Sequence, residues 1–362
     1  MNIIAKKEIL MNYLNVVQRA VSKNGLVPAM EGILIKASEE GELELSATNG
    51  ELSIVANAVK CDTWEAGEII LPPKFVNIVK LMPSEMVKIQ ATPEEAEKFR
   101  VKVSSGDSNF TLAGLNGNMF PAVSQDIEGV HLQVETKKFK ELVSNTIFAT
   151  APQSHHPALE GVLIEVEDNK LIFTATDSYR IANDYVDIDT EDTKIVVPAK
   201  TLTEINRIIT DPDEVINCFI TNKEIKFGYK DYVLSSRLLD GEYPDFTKIF
   251  PKEHETSAVV DTAEMRDLIA RALLIDHKVT IEVNDLFHIL AVAEDGKLEE
   301  AFEADINGDG LKIALNAHYV NDVLKVINAE KIVIEFNGAL GPCVIKVPGT
   351  NYRYMVLPIR VN

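Results

Sequence analysis

The sequence has little of what usually announces a chemistry. Its three cysteines, Cys61, Cys218 and Cys343, are far apart and odd in number. That excludes a disulfide framework and a cysteine zinc site, and it suits a reducing, cytoplasmic compartment. No apolar run approaches the ~18–20 residues that a membrane span needs. Lys6, Lys7 and Glu8 break up the start of the chain, which excludes a cleavable signal pattern. Glycine and proline together make only 33 of 362 residues, too few for a low-complexity chain. There is no glycine-rich phosphate loop ending in Gly-Lys-Ser/Thr, no Gly-x-Gly-x-x-Gly and no Gly-x-Ser-x-Gly. Positive charge is scarce too: 36 Lys and Arg face 56 Asp and Glu, a net charge of −20. That balance alone argues against an ordinary nucleic-acid-binding surface.

What is present is repetition. Glu31-Gly32-Ile33-Leu34-Ile35 returns as Glu160-Gly161-Val162-Leu163-Ile164, an offset of 129, and Ala47-Thr48-Asn49 returns as Ala175-Thr176-Asp177, an offset of 128. Leu115-Asn116-Gly117-Asn118-Met119-Phe120-Pro121 reappears as Leu239-Asp240-Gly241-Glu242-Tyr243-Pro244, offset 123 at the proline. A fainter third copy shows where Lys74–Val79 and Lys200–Ile205 resemble His318–Val323. Three units of ~120 residues fill the chain, each far longer than a solenoid repeat and able to carry its own core. Polar stretches at Ser124–Gly129 and Lys252–Glu255 place the boundaries, giving units 1–126, 127–252 and 253–362.

Within each unit the pattern predicts a helix, then alternating strands, a second helix, and more strands. Lys6–Ser22 carries Ile9, Leu10, Tyr13, Leu14, Val17 and Val21 at helical spacing. Second helices are predicted at Pro73–Met82, Pro198–Ile209 and Asn316–Asn328, and Glu42–Ser46 and Lys170–Thr174 read as strands. The fold class is α+β, with two helices and mostly antiparallel strands per unit. Charge divides between the elements. Six helical windows, 6–23, 73–82, 136–150, 198–209, 262–275 and 316–328, sum to +8, leaving −28 for the rest. The helices are thus expected to face a polyanion and the sheets to face solvent. Few aromatics interleave with the basic positions, and no helix bears a dense Arg run. The implied contact is weak, backbone-directed and sequence-independent.

Catalytic and metal motifs fail on inspection. Asp305–Gly310 begins like a calcium loop, but Asn316 stands where the bidentate Glu is required, so the segment reads as a turn. His155-His156 has no further ligand at a suitable spacing, and Asp177, Tyr179 and Arg180 read as a strand end with a turn. No nucleophile has an orienting base, so no catalytic residue, metal or cofactor is expected.

The segment Thr174–Ala182 (TATDSYRIA), together with Leu239–Phe246 (LDGEYPDF) and Tyr354–Arg360 (YMVLPIR), closely resembles signatures of the bacterial DNA sliding clamp, the beta subunit of DNA polymerase III. The similarity runs through the whole chain in the right order. It implies three clamp domains and a head-to-tail homodimeric ring with helices lining the central hole. Such a ring encircles double-stranded DNA without sequence preference. It is a processivity factor with no enzymatic activity, and it is not a membrane protein. It would tether the DNA polymerase, the clamp loader and other clamp-binding peptides. A divergent clamp paralogue serving repair or a mobile element is the alternative.

The resemblance assigns a peptide pocket to Leu159, Thr176, Tyr179, Arg180, Ile181, Pro244, Lys248, Ile249, Asn316, Tyr319, Cys343, Val344, Met355, Leu357, Pro358 and Ile359. It assigns DNA contacts to Lys74, Lys80, Lys137, Lys138, Lys140, Gln153, Lys200 and Arg207. At the dimer contact it brings Phe110 and Leu112 of the first unit to Leu274 and Ile275 of the third, with Lys74 near Glu299, Glu300 and Glu303. The chain departs from the family pattern at Asn24, at Pro157-Ala158, where some clamps place tyrosines beside the duplex, and in a short segment around His277–Asn284.

Overall fold

A computed structural model of the chain describes every residue except Asn24, Leu26, Ala96, Thr247, Lys248 and residues 360–362, and the side chain of Ala58 is likewise not described. The expectations at Asn24 and Lys248 therefore lie outside the described residues.

Six α-helices form among the described residues: α1 Lys7–Val17, α2 Lys74–Leu81, α3 Thr136–Thr146, α4 Ala199–Ile208, α5 Thr262–Ala272 and α6 Ala317–Val326. In α1, Leu10, Leu14 and Val17 recur at spacings of four and three and are buried. Full burial of each such side chain is worth about 1.5–3 kcal/mol. Helix starts follow the local chemistry. Asp261 Oδ1 accepts from the Glu264 N–H at 2.8 Å, capping α5, and Asn316 caps α6 by accepting from the His318 N–H at 3.0 Å. Within their own parts of the structure, α1 packs on α2 and α5 on α6.

Three expectations are corrected. The units do not begin with a helix. A strand precedes each first helix, at Asn2–Lys6, Val130–Glu135 and Thr256–Asp261. These strands are only five or six residues long, and their alternation merges into the helical pattern that follows. Asp305–Gly308 is no turn but an edge strand, pairing antiparallel with Thr256–Val259. The observed helices carry a net +5 rather than +8. Lys6 ends the first strand, and Arg19 and Lys23 lie beyond α1, which leaves that helix neutral.

The described chain divides into two compact units, Met1–Thr136 with Glu204–Leu238, and Lys137–Thr203 with Leu239–Asn362. In the first, a thirteen-stranded antiparallel sheet runs from the edge strand Val130–Glu135 to the edge strand Asp62–Glu65. Strands of the first and second repeats join inside it where Leu52–Ala56 pairs with Tyr232–Ser236. In the second, a nine-stranded sheet contains the equivalent seam, Arg180–Asn183 pairing with Arg353–Val356. A separate four-stranded sheet, with Lys297–Phe302 at its edge, completes the third repeat. The middle repeat thus gives one sheet to each unit. Repeats are joined by ladder hydrogen bonds between edge strands, which leaves no edge exposed at either seam.

Candidate functional site

The seam between the second and third repeats is built around a tight turn. Thr176 Oγ1 donates to the Arg180 carbonyl at 2.7 Å and accepts from the Ser178 N–H at 3.1 Å. Asp177 Oδ1 accepts from the N–H groups of Tyr179 and Arg180 at 3.0 and 3.1 Å. The turn holds Ser178 at φ +78°, a left-handed conformation that a side chain adopts at a cost. Its effect is to lift Tyr179 outward, 62% exposed, while the Leu357 N–H donates to the Tyr179 carbonyl at 2.9 Å.

Beside this turn three strands lie in register. Ile181 faces Met355, which faces Val344 on its other side. These three join Leu159, Leu163, Tyr243, Phe246 and Phe250 in one apolar cluster. Bonded to or next to these segments in the chain, Tyr179, Leu357, Ile249 and Pro244 are exposed, and Pro358 and Ile359 are half-buried. Large apolar side chains left at a rim around a packed apolar floor make a surface that binds apolar groups.

Arg180 is buried and does not present its charge to this surface. Nε donates to Asp177 Oδ2 at 3.0 Å, Nη1 to Asp322 Oδ2 at 2.7 Å and Nη2 to the Phe148 carbonyl at 2.8 Å. The guanidinium lies 4.4 Å from the centre of the Tyr319 ring. Burial works against its charge, but Tyr354, Asp322 and Asp177 more than restore it. Asp322, on α6, was not among the expected site residues. No pattern in the sequence marks it, because it meets Arg180 only through the fold.

The remaining pocket residues separate into supports and outliers. Thr176 is buried in the turn, and its N–H donates to Tyr243 Oη at 3.1 Å. Asn316 is occupied in capping α6, and Tyr319 stacks beneath Arg180. Cys343 is not brought to the cleft. It neighbours Val344 on a strand, so the two point to opposite faces, and burial pushes its thiol pKa up. Ala158, one of the two positions where the chain departs from clamps that place tyrosines beside the duplex, is buried in the cluster. Tyr243 and Phe246, which the sequence offered only as part of a motif, are two of its main apolar members.

Of the residues expected to face DNA, Lys74, Lys80, Lys137, Lys138, Gln153, Lys200 and Arg207 are exposed, and Lys140 is half-buried. Arg207 is engaged by Glu204 at 2.6 Å, and Arg19 reaches the same carboxylate at 2.9 Å. Lys80 borders a cavity together with Lys6, Lys7 and Met11.

Among the sheet edges left open in the described pairings, two carry residues expected at the dimer contact. Ser108–Asn116 pairs with Lys98–Ser105 throughout, but its other side is paired only at Leu115 and Asn116. Lys297–Phe302 pairs only with Phe287–Val292. Phe110, on the first of these strands, is exposed, and Leu112 is buried. Leu274, just after α5, is 84% exposed, and Ile275 is half-buried. Arg271 holds Glu300 in a bidentate pair at 2.8 and 2.5 Å, and Lys297 holds Glu299 at 2.5 Å. A partner's lysine would therefore join existing pairs rather than meet free carboxylates; Glu303 is exposed.

No helix among the described residues is long and apolar enough to cross a membrane. Three family models match the chain in order. They are the N-terminal domain of the DNA polymerase III beta subunit over residues 1–124, its central domain over 133–245 and its C-terminal domain over 247–360. A beta sliding clamp of Staphylococcus epidermidis is 31% identical, covering 99% of each chain. The DNA polymerase sliding clamp of Bacillus subtilis superimposes with a TM-score of 0.94 at 30% identity, covering 100% of both chains. A Pseudomonas aeruginosa sliding clamp bound to griselimycin matches with a TM-score of 0.92 at 27% identity, again over 100% of both. The chain belongs to the bacterial beta sliding clamps, the beta subunit of DNA polymerase III, a family of non-enzymatic processivity factors whose dimeric ring is known.

Proposed function

We propose that this clamp captures its partners, the polymerase and the clamp loader among them, as short apolar peptides. The capture site is the cleft rimmed by Tyr179, Leu357 and Ile249 over Leu159, Ile181, Val344 and Met355. The observation that carries this reading is the pairing of a packed apolar floor with large exposed apolar side chains at one seam. Such a cleft gains binding energy by burying a few anchor residues. The domains follow the boundaries 1–126, 127–252 and 253–362, and the site of action is the cytoplasm, around the nucleoid. A divergent paralogue serving repair or a mobile element is not favoured, since the relatives over the full length are beta sliding clamps.

Retention on DNA rests on closure of the ring. The support for closure is the pair of open edges, Ser108–Gly114 and Lys297–Phe302. At both seams inside the chain, a strand of the same type pairs with an edge of the same type. A second copy meets the same pairing, head to tail. Weak contacts from Lys74, Lys80, Lys137, Lys138, Lys140, Gln153, Lys200 and Arg207 to phosphates then permit sliding.

The test is Tyr179→Asp, measured by titration with a fluorescent peptide carrying leucine and phenylalanine. Affinity should fall roughly thirtyfold or more, the loss of an anchor worth ~2 kcal/mol. The dimer should remain intact by sedimentation. Unchanged affinity would remove the cleft from the mechanism.

A further inference from the structure

The seam between the first and second repeats reproduces the turn of the peptide-capturing seam and the strand bond beside it. Thr48 Oγ1 donates to the Leu52 carbonyl at 3.3 Å and accepts from the Gly50 N–H at 3.1 Å, as Thr176 does with Arg180 and Ser178. That first distance is measured to Leu52, whose carbonyl is the counterpart of Arg180's. Asn49 Oδ1 accepts from Glu51 and Leu52 at 2.9 and 2.8 Å, as Asp177 does from Tyr179 and Arg180. Gly50 sits at φ +90° where Ser178 sits at +78°. The Arg237 N–H donates to the Glu51 carbonyl at 3.0 Å, the counterpart of the bond from Leu357 to Tyr179.

The scaffold is the same, but the side chains on it are not. Ile181 facing Met355 becomes Ser53 facing Ser235, and Val344 beside Met355 becomes Lys226 beside Ser235. At the rim, Tyr179 becomes Glu51 and Leu357 becomes Arg237. A cavity of about 290 Å³ remains, bordered by Met30, Thr48, Ser53, Pro121, Ser235 and Arg237. Its floor is polar. The Ser235 hydroxyl, in a residue 8% exposed, has no hydrogen-bond partner among the described residues. Behind it Lys226 is 5% exposed, and its ammonium donates to Ser124 Oγ at 3.2 Å and to the Asp126 carbonyl at 2.6 Å and pairs with Glu224, which borders the cavity, at 3.1 Å.

Resting on the peptide reading above, we propose that Ser53, Lys226 and Ser235, with Glu51 and Arg237 at the rim, are specificity-determining residues. They deny the first seam to apolar partner peptides and limit each chain to one capture site. An apolar side chain entering there would be packed against hydroxyls, and against the ammonium behind them, and would give these polar groups no partner in return. It would also compete with the linker Pro121–Asp126, which the ammonium holds in place. Specificity between two seams with the same turn therefore resides in five side chains.

The experiment counts sites by calorimetry with a peptide carrying leucine and phenylalanine. The wild-type chain should bind one peptide. The variant Glu51→Tyr, Ser53→Ile, Lys226→Val, Ser235→Met, Arg237→Leu should bind two, with the dimer confirmed by sedimentation and the fold by thermal melting. Two sites in the wild type, or one in a folded variant, would overturn the proposal. Should that variant not fold, the reverse change tests the same point. Ile181→Ser should weaken binding at least tenfold with the dimer retained, and unchanged affinity would overturn the proposal. No binding to the wild-type chain at all would sink the peptide reading itself, and this inference with it.

Discussion

Arg180 reaches from a strand of the second repeat to Asp322 on α6 of the third, Nη1 to Oδ2 at 2.7 Å. The same guanidinium holds Asp177 at 3.0 Å, in the turn that carries Tyr179. One side chain therefore ties the rim of the cleft to a helix.

Arg180→Met should lower stability by about 3 kcal/mol, because it leaves the nearly buried Asp177 without its cation. Asp322→Asn keeps the shape and should cost less, about 1 kcal/mol. Denaturant unfolding of both variants measures the difference. Equal losses would mean that Asp322 rather than Asp177 carries the bond.

Leu274→Asp should convert the dimer to single chains. The residue stands 84% exposed after α5, held there by an N–H bond to the Arg271 carbonyl at 3.1 Å, and it touches little of its own chain. Sedimentation should show monomers with an unchanged melting curve. A persistent dimer would move the interface elsewhere.

Under native conditions a maleimide should label one cysteine per chain. Cys61 is half-buried, whereas Cys218 and Cys343 are buried, with thiol pKa values pushed well up by that burial. Denaturant should raise the count to three. Native labelling of Cys343 would show that its face opens.

Much of this architecture could be read from the residues, and the parts that could not have physical causes. The repeats were legible because turns demand particular residues, as in Thr48-Asn49-Gly50 and Thr176-Asp177-Ser178. The short first strands were not, since five residues of alternation beside a helix leave no separate period. Asp305–Gly308 looked like a turn because an edge strand needs only one partner and tolerates Asp, Asn and Gly. In the cleft, the apolar members were legible as a motif, while the roles of Arg180 and Asp322 arise from contact across 142 residues of sequence. The misplacement of Cys343 was avoidable: neighbours on a strand cannot both face one cleft.

Asp184→Asn should stabilise the protein at neutral pH. Burial pushes the Asp184 carboxyl up, outweighing the donors Asn145 Nδ2 at 2.7 Å and the Tyr185 N–H at 2.9 Å. A raised pKa in the folded state means that the ionised form is disfavoured there. Stability is full below the ordinary value near 3.8 and is lost as pH rises through the folded value. The variant's advantage should therefore be present at pH 7 and vanish toward pH 3. Thermal melts across that range measure it, and an advantage that grew on acidification would reverse the sign.

The seams differ in one respect that their common geometry conceals. The two inside the chain are backed by continuous polypeptide, so a strand that detaches stays near its partner at high local concentration and rejoins at once. The proposed third seam, at the edges Ser108–Gly114 and Lys297–Phe302, has no such tether. Dilution acts on it alone, so a closed circle made of like joints would open only at joints between separate chains.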